Sequence, residues 1–144
     1  MDLTIRPMTE TDAAAVAELS RQLGYPSDAE MVRRRFRAVD PADFLVVAVN
    51  DADVPIGFIH GRMTRTVEAD ARAHIVGLVV SSKARRAGVG RCLIAEVERW
   101  GSTTDAEAVV VKSNIARREA HDFYPAVGYE KIKTQAVYLK RLGA

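Results

Sequence analysis

The chain has 144 residues, enough for one domain spanning residues 1–144 that folds without a disulfide or a structural metal. Apolar residues make up 48% and charged residues 28%, and the net charge of +2 is too small to indicate a nucleic-acid partner. The single cysteine, Cys92, excludes an intramolecular disulfide and favours a reducing compartment. Since no apolar run has the length of a signal-peptide core or a membrane span, we expect a cytoplasmic protein without membrane partners, and we allow for a homodimer.

The first third of the chain predicts one strand and two helices. Leu3 and Ile5 alternate with polar residues as a short strand. A helix capped by Thr9 or Thr11 follows and ends at Gly24, because apolar residues recur there with the helical period. Ser27 then predicts the start of a second helix.

A β-hairpin comes next. Residues 44–49 are almost all apolar, residues 50–53 have turn composition, and residues 54–63 predict the return strand. Residues 73–100 then read as a β-branched strand, a basic glycine loop and an amphipathic helix. Beyond them we predict a strand at 108–111, a helix at 116–127 and two closing strands at 129–132 and 136–139. The order is β-α-α-β-β-β-α-β-α-β-β.

The glycine loop indicates an anion site. Its sequence, Arg85-Arg86-Ala87-Gly88-Val89-Gly90, leads into a helix whose first amides lack intrahelical partners and carry the positive end of the dipole. Glycine lets an anion approach the backbone, and the arginines add positive charge. The loop lacks the Lys-Ser/Thr of a P-loop and the third glycine of a dinucleotide-binding fingerprint.

The loop does match Arg/Gln-x-x-Gly-x-Gly, the pyrophosphate-binding signature of the GCN5-related N-acetyltransferases. The order of the elements, Ser113-Asn114, Phe123-Tyr124 and Gly128-Tyr129 extend the likeness, so the chain resembles this family from end to end. The resemblance implies an α/β fold with a mixed, mostly antiparallel sheet and helices on both faces. It also implies acetyl-CoA as the acetyl donor, with no metal.

The resemblance further implies where acetyl-CoA binds. Pantetheine would pair with the backbone of residues 78–80, beside a bulge in that strand, and the pyrophosphate would bind the amides of residues 86–91. Asn114 would orient the pantetheine. The residues expected to hold the cofactor are Leu78, Val79, Val80, Arg85, Arg86, Ala87, Gly88, Val89, Gly90, Arg91 and Asn114.

Two residues are expected to move protons. Tyr124 occupies the position of the family's general acid, although Pro125 directly after it predicts a kink or an end of that helix. His74 stands where histone acetyltransferases carry a basic glutamate, and a water relay, Glu68 or Asp70 are the alternatives. His60 and His121 show no partner spacing, so we expect them at the surface or in packing.

The resemblance implies an N-acetyltransferase acting on a primary amine, and the alternative is a non-catalytic acyl-CoA-binding regulatory module. The segment Val109-Val110-Val111-Lys112 differs from that of ribosomal-protein N-terminal acetyltransferases, which favours a small-molecule acceptor. Several carboxylates flank the expected pocket and would suit a cationic amine; they are Asp28, Glu30, Asp40, Asp43, Glu68 and Asp70.

Overall fold

A computed structural model describes residues 3–85, 87–113 and 118–143. The chain divides into two compact units, Met1–Lys112 and Ser113–Ala144. The elements are β1 (Thr4–Pro7), a 3₁₀ turn (Glu10–Asp12), α1 (Ala13–Gln22), α2 (Ala29–Ala38), β2 (Phe44–Val49), β3 (Pro55–Thr64), β4 (Arg72–Val80), α3 (Val89–Thr103), β5 (Ala108–Val111) and α4 (Arg118–Ala126). No helix in the described ranges is both long and apolar enough to cross a membrane.

The first unit is built on a sheet whose strands lie in the order β1-β2-β3-β4-β5. All neighbours pair antiparallel except β4 and β5, which are parallel. Short connections join β2 to β3 and β3 to β4 as antiparallel neighbours, α1 and α2 connect β1 to β2, and α3 supplies the crossover that a parallel pair requires. The mixed, mostly antiparallel sheet expected from the sequence is therefore confirmed.

One face of the sheet packs against α3. Val89, Leu93 and Val97 of this helix are fully buried. A Cβ atom on Gly57 would lie 3.2 Å from Leu93, and one on Gly61 would lie 3.1 Å from the Trp100 ring. Because residues at every second position share a face, these two glycines of β3 let α3 approach the sheet closely.

The opposite face packs against α1 and α2. Its core contains Met8, Val16, Val47 and Val49, with further apolar side chains packed around them: Val32, Phe36, Leu45 and Phe58. Val47 and Val49 alternate with Val46 and Ala48, which are buried on the α3 side. Helices therefore cover both faces, as predicted.

The local signals at helix and hairpin ends are mostly as expected. Thr9 donates its backbone N–H to Asp12 at 2.8 Å, and Asn50 organises the hairpin turn through its side-chain oxygen.

The predicted start of α2 was wrong by one residue, since Asp28 rather than Ser27 accepts the N–H of Met31. A carboxylate gains from the helix dipole as well as from the hydrogen bond.

The second unit contains α4, and Pro125 lies in its last turn. The helix ends with Gly128 in the left-handed region, at φ 95°, and Tyr129 donates its N–H to the carbonyl of Tyr124. The prediction of closing strands at 129–132 and 136–139 was wrong for the described residues, because 129–143 form no strand. A strand needs a paired neighbour, and apolar alternation alone does not supply one. The single domain 1–144 stays a prediction.

Replacing Gly57 should weaken the packing of α3 on the sheet. In Gly57→Ala, the new Cβ would lie 3.1 Å from the carbonyl oxygen of Val79 and 3.2 Å from both Val89 and Leu93. Such overpacking should lower the free energy of unfolding by about 1 to 3 kcal/mol, measured by urea denaturation. Gly77→Ala is the control, since its Cβ meets nothing closer than 3.6 Å. Equal losses in the two variants would contradict the close-approach explanation.

Candidate active site

The register of β4 changes in the middle of the strand. His60 pairs with Gly77, but the next residue of β3, Gly61, pairs with Ile75. Val76 is therefore an extra residue, a β-bulge, and nearly half of its surface is exposed. The bulge that the family resemblance implied lies at this residue.

Beyond the bulge, β4 separates from β5. Parallel pairing runs from Arg72 opposite Ala108 to Ile75 opposite Val111, where β5 ends. In the described part of the chain, no strand continues along that side of residues 78–80. The second half of β4 consequently presents an open edge among the described strands.

The main-chain groups of Leu78 and Val80 point toward that open edge. Ser81 donates its N–H to the carbonyl of Ile56 at 2.8 Å, so Ser81 faces β3. Main-chain groups alternate in direction along an antiparallel strand, so Val79 also faces β3 whereas Leu78 and Val80 face away from it. An extended polar chain could therefore hydrogen-bond along this edge.

The edge leads directly into the glycine loop. Ala84 donates its N–H to Ser81 and Ala87 to Ala84, so the loop is a succession of tight turns. The N–H of Ser82 donates to the Gln22 side chain at 3.0 Å, which ties the loop to α1. Buried Ala84 and Val89 anchor the two ends of the loop.

The N-terminus of α3 has the properties of an anion site. The first intrahelical bond runs from the N–H of Cys92 to the carbonyl of Gly88, so the amides of residues 89–91 precede the intrahelical ladder. Gly88 has φ 78°, and a Cβ there would meet nothing within 4 Å. The backbone requires glycine at this position, and the space beside it is open.

The side chains around this helix end add positive charge. Arg85 lies in the loop and Arg91 in the first turn, and both are exposed. Since the dipole and the two guanidinium groups act in the same direction, they favour a phosphate-like group. Arg86 lies outside the described residues, so its predicted contribution stays a prediction.

His74 lies in β4, between Arg62 of β3 and Val110 of β5. The pKa of His74 is lowered from its ordinary value, first by burial and then by the positive charges of Lys112 and Arg72. The imidazole is therefore neutral at neutral pH and able to accept a proton. Because Gly61 and Ile75 pack toward α3, the alternation of the strands directs His74 toward the opposite face.

A charged cluster that the sequence prediction missed lies on the same face. The carboxylate of Asp43 accepts hydrogen bonds from His60 at 2.8 Å and from Arg62 at 3.1 Å. Burial opposes ionisation of Asp43, but these bonds outweigh it and lower the pKa of the carboxyl. Interpreting His60 from sequence alone as a surface or packing residue overlooked Asp43, because the two lie 17 positions apart in sequence.

Most of the carboxylates expected to attract a cationic acceptor already bind protein groups. Asp28 caps α2, Glu30 pairs with Arg33, and Asp40 accepts the N–H of Ala42. Asp43 is held by His60 and Arg62. Glu68 and Asp70, in the segment between β3 and β4, are exposed.

The remaining predicted site residues lie in or beside the second unit. Tyr124 is half-buried in α4, with its ring centroid 5.3 Å from that of Phe123 and 6.0 Å from that of Tyr129. Pro125 does not end the helix before Tyr124, because α4 continues to Ala126. Asn114 lies outside the described residues. In the described ranges, no group of histidine, cysteine and acidic side chains is arranged to hold a metal.

The model of the Acetyltransferase (GNAT) family matches residues 13–129. The chain belongs to this family. The match runs from the start of α1 through the bulged strand, the glycine loop and α4, so it includes every predicted site residue.

Curated relatives and solved structures agree with this membership. Aminoglycoside N(6')-acetyltransferase type 1 of Stenotrophomonas maltophilia is 29% identical, over 95% of this chain and 92% of that protein. Its namesake from Salmonella enteritidis is 27% identical, over 96% and 99%. The fold matches AAC(6')-Ih of Acinetobacter baumannii with a TM-score of 0.83 at 18% identity, over 99% and 100% of the chains. AAC(6')-Iy bound to the bisubstrate analogue CoA-S-monomethyl-acetylneamine gives 0.79 at 25% identity, with the same coverage.

The GNAT chain is thus identified as an acetyl-CoA-dependent N-acetyltransferase. Its described residues fit the donor: an open strand edge suits an extended amide chain, and free amides at a helix N-terminus suit a pyrophosphate.

Acetyl-CoA affinity should depend on the open space at Gly88. Gly88→Glu puts bulk and negative charge beside the amides of residues 89–91, so affinity should fall by about 10²-fold in calorimetry. Gly24→Glu is a matched control, because Gly24 also has a positive φ, 87°, and open space around it. A folded Gly88→Glu variant that binds acetyl-CoA like the control would contradict the anion site.

Proposed function

We propose that the GNAT chain binds acetyl-CoA along the open edge of β4 and the N-terminus of α3, and that His74 accepts a proton from the acceptor amine. The observation that carries this proposal is the continuity of the two features. Gly57 pairs with Val80, and a Cβ on Gly57 would lie 3.2 Å from Val89, so the strand end and the helix start are neighbours.

Each predicted binding residue has a definite part in this proposal. Leu78 and Val80 offer main-chain groups to the pantetheine amides, and Val79 fixes the strand through its buried side chain and its pairing with Phe58. The amides of residues 89–91 receive the pyrophosphate, Ala87 and Gly88 hold the loop that leads to them, and Arg85 and Arg91 add charge. Arg86 and Asn114 are expected to assist, as the family resemblance implies.

The chemistry required of the protein is proton transfer and positioning. Acetyl-CoA supplies an activated thioester. The enzyme must hold a neutral amine, accept its proton as the C–N bond forms, and protonate the sulfur as the C–S bond breaks. His74 accepts the proton of the amine, because its lowered pKa keeps the imidazole neutral. Tyr124 protonates the sulfur through its phenol hydroxyl.

For the acceptor, we propose an amino sugar of the kind named in the relatives. Glu68 and Asp70 are exposed and would attract its ammonium groups. The other carboxylates expected near the pocket already bind groups of the protein. A panel of amino sugars, polyamines and amino acids, measured by release of free CoA, tests this choice. Exclusive turnover of amino acids would reject it. The cytoplasmic location also stays a prediction.

Tyr124→Phe removes one donor hydroxyl and keeps the ring. We expect unchanged acetyl-CoA affinity and a kcat lower by about 10²-fold or more, provided that thiolate departure limits the rate. Steady-state kinetics at saturating amine measure the effect. Phe123→Leu serves as the control for loss of ring packing, since Phe123 contacts Tyr124 edge to face. Full activity of Tyr124→Phe would reduce Tyr124 to a packing role.

The pH dependence tests His74. As a proton acceptor it must be neutral, so kcat/KM should rise with pH through a pKa below 6.5, the direction in which burial, Lys112 and Arg72 shift it. His74→Ala should remove this acid limb and cost about 10²-fold, and His74→Glu should restore part of the activity.

The neighbouring charges provide a second check on His74. Lys112→Gln removes a positive charge that disfavours the imidazolium, so the acid limb should move to higher pH while the limiting rate is kept. Arg62 and Arg72 remain in place in this variant. An unaltered acid limb in both His74→Ala and Lys112→Gln would transfer the base role to a water relay, Glu68 or Asp70.

A further inference from the structure

The Asp43–His60 pair is more deeply buried than a surface ion pair. The side chain of Asp43 is only 5% exposed and that of His60 16% exposed. Asp43 lies just before β2, and His60 lies in β3 opposite Leu45. If the Asp43 carboxylate moved away from His60 and Arg62, a buried charge would be left unpaired. The position of this carboxylate is therefore fixed by its two donors.

The hydrogen bond to Asp43 determines the tautomer of His60. The pKa of Asp43 is lowered, so it is a carboxylate at neutral pH and can only accept hydrogen bonds. The Nε2 atom of His60 therefore carries the proton, at 2.8 Å from the carboxylate oxygen. In the neutral ring, Nδ1 then bears the lone pair, which can accept a proton.

His60 lies across from the beginning of the open half of β4. It is directly opposite Gly77, the residue after the bulge at Val76. Gly77 has no side chain to cover His60, and a Cβ there would lie 3.8 Å from the Cβ of His60. Arg62 pairs with His74, so His60 and His74 are diagonal neighbours on one face. The extra residue Val76 lies between the positions of His74 and Gly77 along β4.

The overall reaction requires two proton transfers from the acceptor nitrogen. An ammonium group loses one proton to become a nucleophile and a second as the C–N bond replaces the C–S bond. One proton equivalent ends on the sulfur and the other in solvent. A single imidazole cannot hold both at once.

We propose that His60, oriented by Asp43, accepts the first proton from the acceptor ammonium, and that His74 accepts the second. His60 passes its proton to water, since 16% of its side chain is exposed. His74 holds the second proton, which balances the proton that the departing sulfur takes up. This inference rests on the proposed roles of His74 and Tyr124, and it makes His60 a catalytic residue and Asp43 a positioning residue.

The test compares two acceptors whose nitrogens differ in protonation at neutral pH, the second carrying one additional oxygen beside the nitrogen. The first is 6-amino-6-deoxyglucose, whose alkylamine is protonated at neutral pH as a lysine is. The second is its 6-aminooxy counterpart, which is neutral at that pH and needs only the second transfer. His60→Gln should lower kcat/KM by about 10²-fold for the amine and have little effect for the aminooxy compound. Added imidazole should restore part of the activity toward the amine.

Arg62→Gln is the matched control, since it removes the other partner of Asp43 and leaves the imidazole in place. It should keep the wild-type ratio of the two rates, and thermal melting checks that both variants are folded. Equal losses of His60→Gln on the two acceptors, or no loss, would overturn the role of His60. If the wild-type enzyme acetylates neither compound, amino sugars are not its acceptors, and the inference about His60 that was drawn for them is also wrong.

Discussion

The extra residue in β4 is the constraint on which the site depends. Up to Ile75 the strand is paired on both sides, and after Val76 its only partner among the described strands is β3. β5 ends opposite Ile75, so none of the described strands satisfies the outward main-chain groups of residues 78–80. The end of this pairing coincides with the extra residue at Val76 and leaves an edge that can bind an extended ligand.

The position of the anion site follows from close packing beneath it. Gly57 and Gly61 bring α3 down onto β3, and Val89 at the start of that helix is fully buried. The helix N-terminus is therefore fixed beside the end of β4, where Ser81 begins the loop. Catalytic geometry and core packing share the same residues, because a cofactor can bind tightly only to groups that are already held in position.

The sequence predicted the elements of the first unit well, since each has a local signal: the period of α1 and α3, the apolar runs of β2 and β4, and glycine at position 88. It could not predict the Asp43–His60 contact, which depends on the register between β2 and β3. Nor could it identify Asp28 over Ser27 as the cap of α2. The wrong prediction of closing strands within residues 129–143 has the same origin. Alternation of apolar residues indicates a possible strand, but a strand forms only beside a neighbour with free main-chain groups.

Hydrogen exchange of backbone amides with and without CoA tests the central claim directly. With CoA bound, exchange should slow at Leu78 and Val80 and at the amides of residues 89–91, because these groups gain hydrogen-bond acceptors. Exchange of the amides of residues 73–75 should not change through contact with CoA, because these residues lie in the paired part of β4. Saturating CoA that protects neither the open edge nor the N-terminus of α3 would contradict the assignment of this site.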